Sequence, residues 1–248
     1  AKGHSAFKLV RKTPNSADAI QWDAEKGFSE NEKAKLEGFD AVVHLAGDNV
    51  ASENWSEDKK RLIRESRTIG TRVLVDALKS LENPPKTFVS ASAIGFYGNR
   101  NDEILTEESP KGVGFFPEVC EAWENEAKKA EGFARVVMLR IGVVLASDGG
   151  ALGKMLTPFK LGVGGVIGSG EQYMPWIAID DIVGIFHFAI ENNISGVFNT
   201  TAPNPVTNYE FTKTFGKVLN RPTFFPIPEF AIKLMFGEIG ETLLLQGC

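Results

Sequence analysis

The sequence predicts an α/β domain built on a doubly wound parallel sheet, with a smaller C-terminal part beside it. Three observations carry this. Short β-type runs alternate with helix-length segments from Ser5 to Leu145, the pattern of strands laid side by side with helices crossing between them. Those runs are almost unbroken in apolar residues, as in strands covered on both faces. A chain of 248 residues, 43% of them hydrophobic, is also long enough to bury a sizeable core without disulfides or metals.

The strand candidates in order are "SAFKLV", "AIQW", "DAVVHLAG", "KTFVSAS" and "RVVMLRIGVVL". Between them, Ser56 to Lys79 carries Leu62, Ile69, Val73 and Ala77 with Leu74 and Leu78, a spacing of three and four that makes one apolar helical stripe. A second helix is predicted from about Phe116 to Glu131. The glycine-dense stretch 161–176 reads as a long surface loop. After it, "IDDIVGIFHFAIEN" reads as helix and "GVFNTTAP" as a short strand. In "TNYE", Thr207 stands three residues before Glu210, a capping box that opens another helix. Proline-rich "RPTFFPIPEF" then leads to a last helical segment. The expected division is 1–147 with a returning segment 176–202, against 148–175 and 203–248, with a cleft between the two parts.

Totals narrow the partners. A net charge of -5 argues against nucleic acid or an acidic membrane and for a small molecule. No apolar run approaches the roughly 18 residues of a membrane span, and "AKGHSAFKLVRK" lacks the apolar middle of a signal peptide. Cys120 and Cys248 have no metal-ligand spacing and form no disulfide framework, which suits a reducing, cytoplasmic setting. No metal site is expected.

Ligands of open parallel sheets bind beyond the carboxyl ends of the strands, so the residues just after each run are the candidates. These are Arg11 and Lys12, then Asp23, then "HLAG" at 44–47, then "SASAIGFYG" at 90–98. In the last stretch the hydroxyls of Ser90 and Ser92 are predicted on one face of the strand, two residues apart. They serve either a ligand or the backbone at the strand end.

At these strand ends the chain resembles an extended short-chain dehydrogenase/reductase, and within that superfamily an epimerase-family subgroup that is sugar-nucleotide-epimerase-like and cell-division-inhibitor-like. The matching pieces include "HLAGDNVA", "SASAIGFYG", "DEILTEESP", "LRIGVVL", "GSGEQYMPWIAIDD" and "NTTAPNPVTNYEF", so the resemblance spans nearly the whole chain. It implies a Rossmann-like, NAD(P)-binding fold, with an oxidoreductase or epimerase-like activity on a small polar substrate, such as a nucleotide-sugar. The subgroup also leaves room for a non-catalytic NADP-binding sensor or scaffold linked to cell division. Extended reductases pair through the helices at 56–79 and 116–131, so a homodimer is a further expectation.

The resemblance assigns roles residue by residue. Arg11 and Lys12 follow the second strand of the family pattern, where arginine accommodates the 2′-phosphate, so NADP is expected over NAD. Asp23 matches an adenine-contacting acid or a turn residue. Leu45, Ala46 and Gly47 match a cofactor wall that the backbone of small residues lets a ligand approach. Ser90 belongs to the same cofactor edge, and Arg140, Ile141 and Gly142 are placed beside the nicotinamide. Ser92 matches the serine that hydrogen-bonds a substrate oxygen. Tyr97 is a candidate proton donor or a turn anchor, and Gln172 and Trp176 suit a substrate lid. His44 points into the sheet interior.

Two departures accompany the match. The glycine-rich strand-turn-helix that receives a pyrophosphate is absent, so about thirty residues of the pattern are expected before Ala1, and the pattern also continues past "LLLQGC". The helix that should carry a Tyr and a Lys four residues later reads "FFPEVCEAWENEA", which puts Val119 and Trp123 there. Neither exchanges a proton. Cys120 and Glu118 are the nearby substitutes.

Overall fold

The computed structural model describes residues 3–247; Cys248 lies outside them. The strands are β1 (Lys8–Val10), β2 (Ala19–Gln21), β3 (Ala41–His44), β4 (Thr87–Ala93), β5 (Arg135–Ile141), β6 (Val143–Ala146), β7 (Tyr173–Met174), β8 (Trp176–Ala178), β9 (Gly196–Thr200) and β10 (Val206–Thr207). The helices are α1 (Glu30–Ala34), α2 (Glu57–Lys79), α3 (Phe115–Lys128), α4 (Gly150–Lys160), α5 (Ile179–Glu191), α6 (Asn208–Leu219) and α7 (Glu229–Gly240). The central sheet is parallel in the order β3-β4-β5-β9, and β1-β2 and β6-β8 are parallel pairs; only β7-β10 is antiparallel. The fold is therefore the expected Rossmann-like α/β type. Among the described residues no strand hydrogen-bonds both β1 and β3, so the sheet is in separate pieces over one core.

The unbroken apolar runs have a simple cause. Successive side chains of a strand point to opposite faces, and both faces are covered. Phe88, Val136 and Met138 pack with Leu74, Leu78 and Ala127 from α2 and α3, in a cluster that also takes in Ile20 and Trp22 of the β1-β2 side. Val89, Val137 and Leu139 pack with Ala189, Ile185 and Phe186 of α5 on the other side.

Helix α2 starts where Ser56 accepts a hydrogen bond from the Lys59 N-H, with Glu57 and Asp58 in its first turn and Lys79 in its last, each favourable to the helix dipole. Its buried seam is Ile63, Gly70, Thr71, Leu74, Val75 and Leu78, while Leu62 is exposed. The stripe expected from the sequence is thus shifted by one residue in the first turns. Polar pairs set that register: buried Lys59 bonds to Asp48 and Ser52, and Arg67 bonds to the carbonyls of Ile63 and Asp48.

The run "RVVMLRIGVVL" becomes two strands in different sheets. At Gly142 the chain passes so close to the 175–201 region that an added Cβ would lie 2.6 Å from the Pro175 oxygen and 2.9 Å from Thr201 Cγ2. The Gly142 N-H donates to Thr200 and the Val143 N-H to Pro175. The loop expected over 161–176 is shorter, because Tyr173–Met174 and Trp176–Ala178 are strands; Trp176 pairs with Val143 of β6. The capping box of α6 is present, with Thr207 Oγ accepting from the Glu210 N-H and Glu210 accepting from the Thr207 N-H. Asp180 and Asp181 do not cap α5. Its N-cap is Ala178 without a side-chain bond, and the two acids lie exposed in the first turn. No described helix is long and apolar enough to cross a membrane.

His44 is buried, hydrogen-bonds with Thr71 Oγ1 at 2.9 Å and stacks on Phe88. Burial holds its pKa down from 6.5 to about 4. A group that charges less readily when folded contributes stability that is complete above its unfolded pKa and fades as pH falls from about 6.5 towards 4. Between pH 7 and pH 5 the loss due to this residue is expected to be about 2 kcal/mol. Urea unfolding at the two pH values checks it, and His44→Gln should shrink the difference by that amount.

Candidate functional site

The carboxyl ends of β4 and β5 open onto a cavity of about 630 Å³. Its floor includes Ser92 at the end of β4 and Ile141 and Gly142 at the end of β5, and α3 supplies Val119, Cys120 and Trp123 as a wall. Residues from the C-terminal helical segment, Thr242 and Leu243, complete it. The spacing of α3 explains the wall: positions 119, 120, 123 and 127 share one helical face, and all four are buried. Val119 and Trp123, the residues expected from the resemblance at the Tyr and Lys positions, both face the cavity. The indole N-H of Trp123 is buried with no hydrogen-bond partner among the described residues, an unsatisfied donor in the wall.

Beneath the cavity runs a buried polar network that the sequence did not announce as a unit. Arg140 of β5 donates from Nε and Nη2 to the two carboxylate oxygens of Glu124, each at 2.8 Å, with both side chains almost fully buried. Ser92 Oγ donates to Glu124 Oε1 at 2.7 Å. On the other side Arg140 Nη1 donates to Tyr97 Oη at 2.9 Å, and Tyr97 donates to Asn199 Oδ1 at 2.6 Å. The guanidinium lies 3.4 Å from the centre of the Phe96 ring, a close cation–π contact. Burial alone would lower the pKa of Arg140, but Glu124 and then Tyr97 more than offset this and raise it.

The structure places the other predicted residues as follows. Ser90 is fully buried and donates to the Ala91 carbonyl, one residue pair deeper in the strand than Ser92, and it does not line the cavity above Ser92. Tyr97 is buried and lines a separate cavity of about 370 Å³ with Asn199, Asp102 and Glu103. Its phenol is held by Arg140 and Asn199 rather than turned to the Ser92 cavity. Arg140 commits Nε and one N-H of Nη2 to Glu124 and one N-H of Nη1 to Tyr97, with its face on the Phe96 ring. Gln172 is anchored by its amide, which donates to the carbonyls of Ile167 and Leu244, and it lines a further cavity of about 740 Å³ with Tyr173, Tyr209 and Leu245. Trp176 is fixed in β8, next to Tyr173, Met174 and Pro175 of the Ser92 cavity, which it does not itself line.

After β3, Leu45 and Gly47 are exposed and Ala46 packs on the core. A Cβ on Gly47 would lie 3.1 Å from the Arg67 guanidinium, so glycine lets that side chain close over the turn. Burial lowers the pKa of Arg67, opposed by Cys120 and Asp48, and its guanidinium covers the Trp123 ring at 5.2 Å. Asp23 forms a turn, with Oδ1 accepting from the N-H groups of Glu25 and Lys26; the Lys26 and Glu25 bonds hold its carboxyl below the usual range. Arg11 and Lys12 are exposed at the end of β1. Glu118 pairs with Arg64 on the exposed side of α3, whereas Cys120 lies in the cavity wall. No metal site was expected; His4, His187 and Glu191 bring ligand-type atoms within 4.8 Å of one another, with His4 Nε2 at 3.2 Å from both His187 Nε2 and Glu191 Oε1.

One residue was missed by sequence reasoning: Glu124, a charge on the buried face of α3. The signal for Glu124 was present: an acid on an apolar helical face and an arginine inside an apolar strand are each anomalous, and they are each other's partner.

A family model described as the NAD dependent epimerase/dehydratase family matches residues 3–201. An epimerase family protein of Mycobacterium bovis is 41% identical over 249 residues, spanning 100% of this chain and 81% of that protein. The crystal structure of the human epimerase family protein SDR39U1 with NADPH gives a TM-score of 0.88 at 36% identity, over 98% of this chain and 81% of that one. The nucleoside-diphosphate sugar epimerase from Corynebacterium glutamicum gives 0.75 at 36% identity, over 98% of this chain and 53% of that one.

Proposed function

We propose, from the premise that this chain belongs to the NAD dependent epimerase/dehydratase family, that it binds NADP and acts as an oxidoreductase or epimerase-like protein on a small polar substrate, a nucleotide-sugar being the favoured class. The observation that carries this reading is the cavity at the tips of β4 and β5, bounded by Ser92 and Gly142, where open parallel sheets hold their ligands. The residues present fit the two ends of such a cofactor. Exposed Arg11 and Lys12 would hold the 2′-phosphate, with Leu45, Ala46 and Gly47 along the adenosine side. The ends of β4 and β5 and the unsatisfied Trp123 N-H would receive the nicotinamide end. Bound there, the group supplies hydride transfer. Ser92 would touch the substrate, and Tyr97 and Arg140 act behind it. Binding of NADPH to the human relative supports NADP over NAD.

In this reading the parts 1–147 with 176–202, and 148–175 with 203–248, face each other across the cavity. A cytoplasmic location and a homodimer built on α2 and α3 complete the proposal; light scattering of the purified protein decides the dimer.

Fluorescence titration tests the cofactor. NADPH is expected to bind about tenfold more tightly than NADH, since a guanidinium–phosphate pair is a charge-assisted bond, and Arg11→Ala should abolish the preference while sparing NADH. Equal affinities in the unsubstituted protein would remove the assignment of Arg11.

One observation favours a second reading, a non-catalytic NADP-binding sensor or scaffold linked to cell division. Val119 and Trp123 stand in the wall where a proton-exchanging pair would be, and neither titrates. Loss of NADPH absorbance across a panel of nucleotide-sugars, aldehydes and ketones, absent in Ser92→Ala, favours the enzyme. Cofactor that binds and never turns over favours the sensor.

A further inference from the structure

The direction of the hydrogen bonds around Ser92 restricts what it can offer a ligand. Glu124 is gripped by two N-H groups of Arg140, and a carboxylate in such a fork only accepts. The 2.7 Å contact between Ser92 Oγ and Glu124 Oε1 therefore carries the serine's own proton. A hydroxyl has one proton and two lone pairs, so what remains for the cavity is an acceptor. Tyr97 is constrained likewise: Arg140 donates to its oxygen, and its proton lies on Asn199. The buried ion pair thus orients both hydroxyls at once. The superfamily resemblance implies the opposite sense for Ser92, a donor that polarises a carbonyl or steadies an alkoxide.

We propose that Ser92 enters the cavity as a hydrogen-bond acceptor, held so by Glu124 as a positioning residue, and that the cavity selects a ligand bearing a hydroxyl at this point over the matching carbonyl compound. This rests on the reading of the cavity as the substrate site. A carbonyl oxygen facing Ser92 would meet lone pairs, or would require the serine to abandon a bond to an ionised group, and sites that leave a polar group unpaired discriminate strongly. The lining joins apolar Val119, Trp123, Ile141 and Phe116 to polar Asn99, Thr242 and Gln246 and to charged Arg67 and Glu238. The selected ligand therefore directs a hydroxyl at Ser92 and lays an apolar face on the Val119–Trp123 wall.

The test uses cyclohexanol and cyclohexanone as probes, with affinities measured by ligand-observed NMR on the full chain, with and without saturating NADPH. Cyclohexanol is expected to bind about tenfold more tightly than cyclohexanone, and Ser92→Ala should bring the two together. In Glu124→Gln the amide N-H can donate to Ser92 and release the serine proton to the cavity, so the ratio should move towards the ketone. That ratio would not respond to a merely structural role of Glu124, and the Ser92→Ala arm decides alone if Glu124→Gln does not fold. A ketone preference, equal affinities, or a preference that survives Ser92→Ala overturns the proposal. So does binding of neither probe while NADPH still binds, whereas failure of NADPH itself to bind would overturn the reading of the site beneath it.

Discussion

Glu124→Ala is expected to lower the melting temperature by about 10 °C. Removing one partner of a buried ion pair costs about 3–5 kcal/mol, and a chain of this size loses roughly 2–4 °C per kcal/mol. The damage comes from what is left behind. Arg140 cannot discard its charge, and without Glu124 it has only the Phe96 ring and the Tyr97 oxygen as partners. Ser92 loses its acceptor in the same step. The control is the double variant Glu124→Ala with Arg140→Met, which removes the stranded charge and should be more stable than Glu124→Ala alone. Calorimetry on the three proteins decides. A single variant within about 1 kcal/mol of the parent by this measure would mean that the pair is hydrated and holds nothing in place.

Gly112→Ala is expected to be the most damaging of the small substitutions near the site. A Cβ there would stand 2.1 Å from the Tyr97 carbonyl oxygen, 2.6 Å from its carbon and 2.9 Å from the Gly98 nitrogen. All three are backbone atoms of a tight turn, to which the Gly112 N-H also donates through Phe96. No rotamer relieves such a contact, so the segments must separate, at a cost of about 3 kcal/mol or more. Tyr97 then drifts from Arg140 and Asn199. The comparison is Gly153→Ala in α4, where nothing lies within 4 Å of the added atom and helix propensity favours alanine. Urea midpoints should fall sharply for the first and hold or rise for the second. Equal midpoints would show that the 97–112 contact opens at no cost.

The central strands were legible because burial on both faces leaves an unbroken apolar signature, and the capping box of α6 because its spacing is local. What escaped the reading depends on close approach between distant segments. Gly142 interrupts a run whose composition does not change, and only the oxygen of Pro175 shows why the strand must end there. Helix α4 was hidden by the glycines at its start, and Trp176 read as part of a lid because the stretch before it is glycine-dense. At the site, strand-end logic led to Ser92 and the family resemblance to Ile141 and Gly142, and the three line the cavity together. The sense of the Ser92 hydrogen bond was not legible, since it follows from Glu124, thirty-odd residues away on another element. Both charges of the pair were visible as anomalies, but sequence carries no mark that joins one to the other.

The parallel register of β5 with β9 has a consequence for synthesis. Val137 pairs with Gly196, so the inner edge of β5 waits for a stretch made about 60 residues later, several seconds at ribosomal rates of roughly 5–20 residues per second. During that interval the nascent chain displays one of its most apolar strands with an unmatched row of amides.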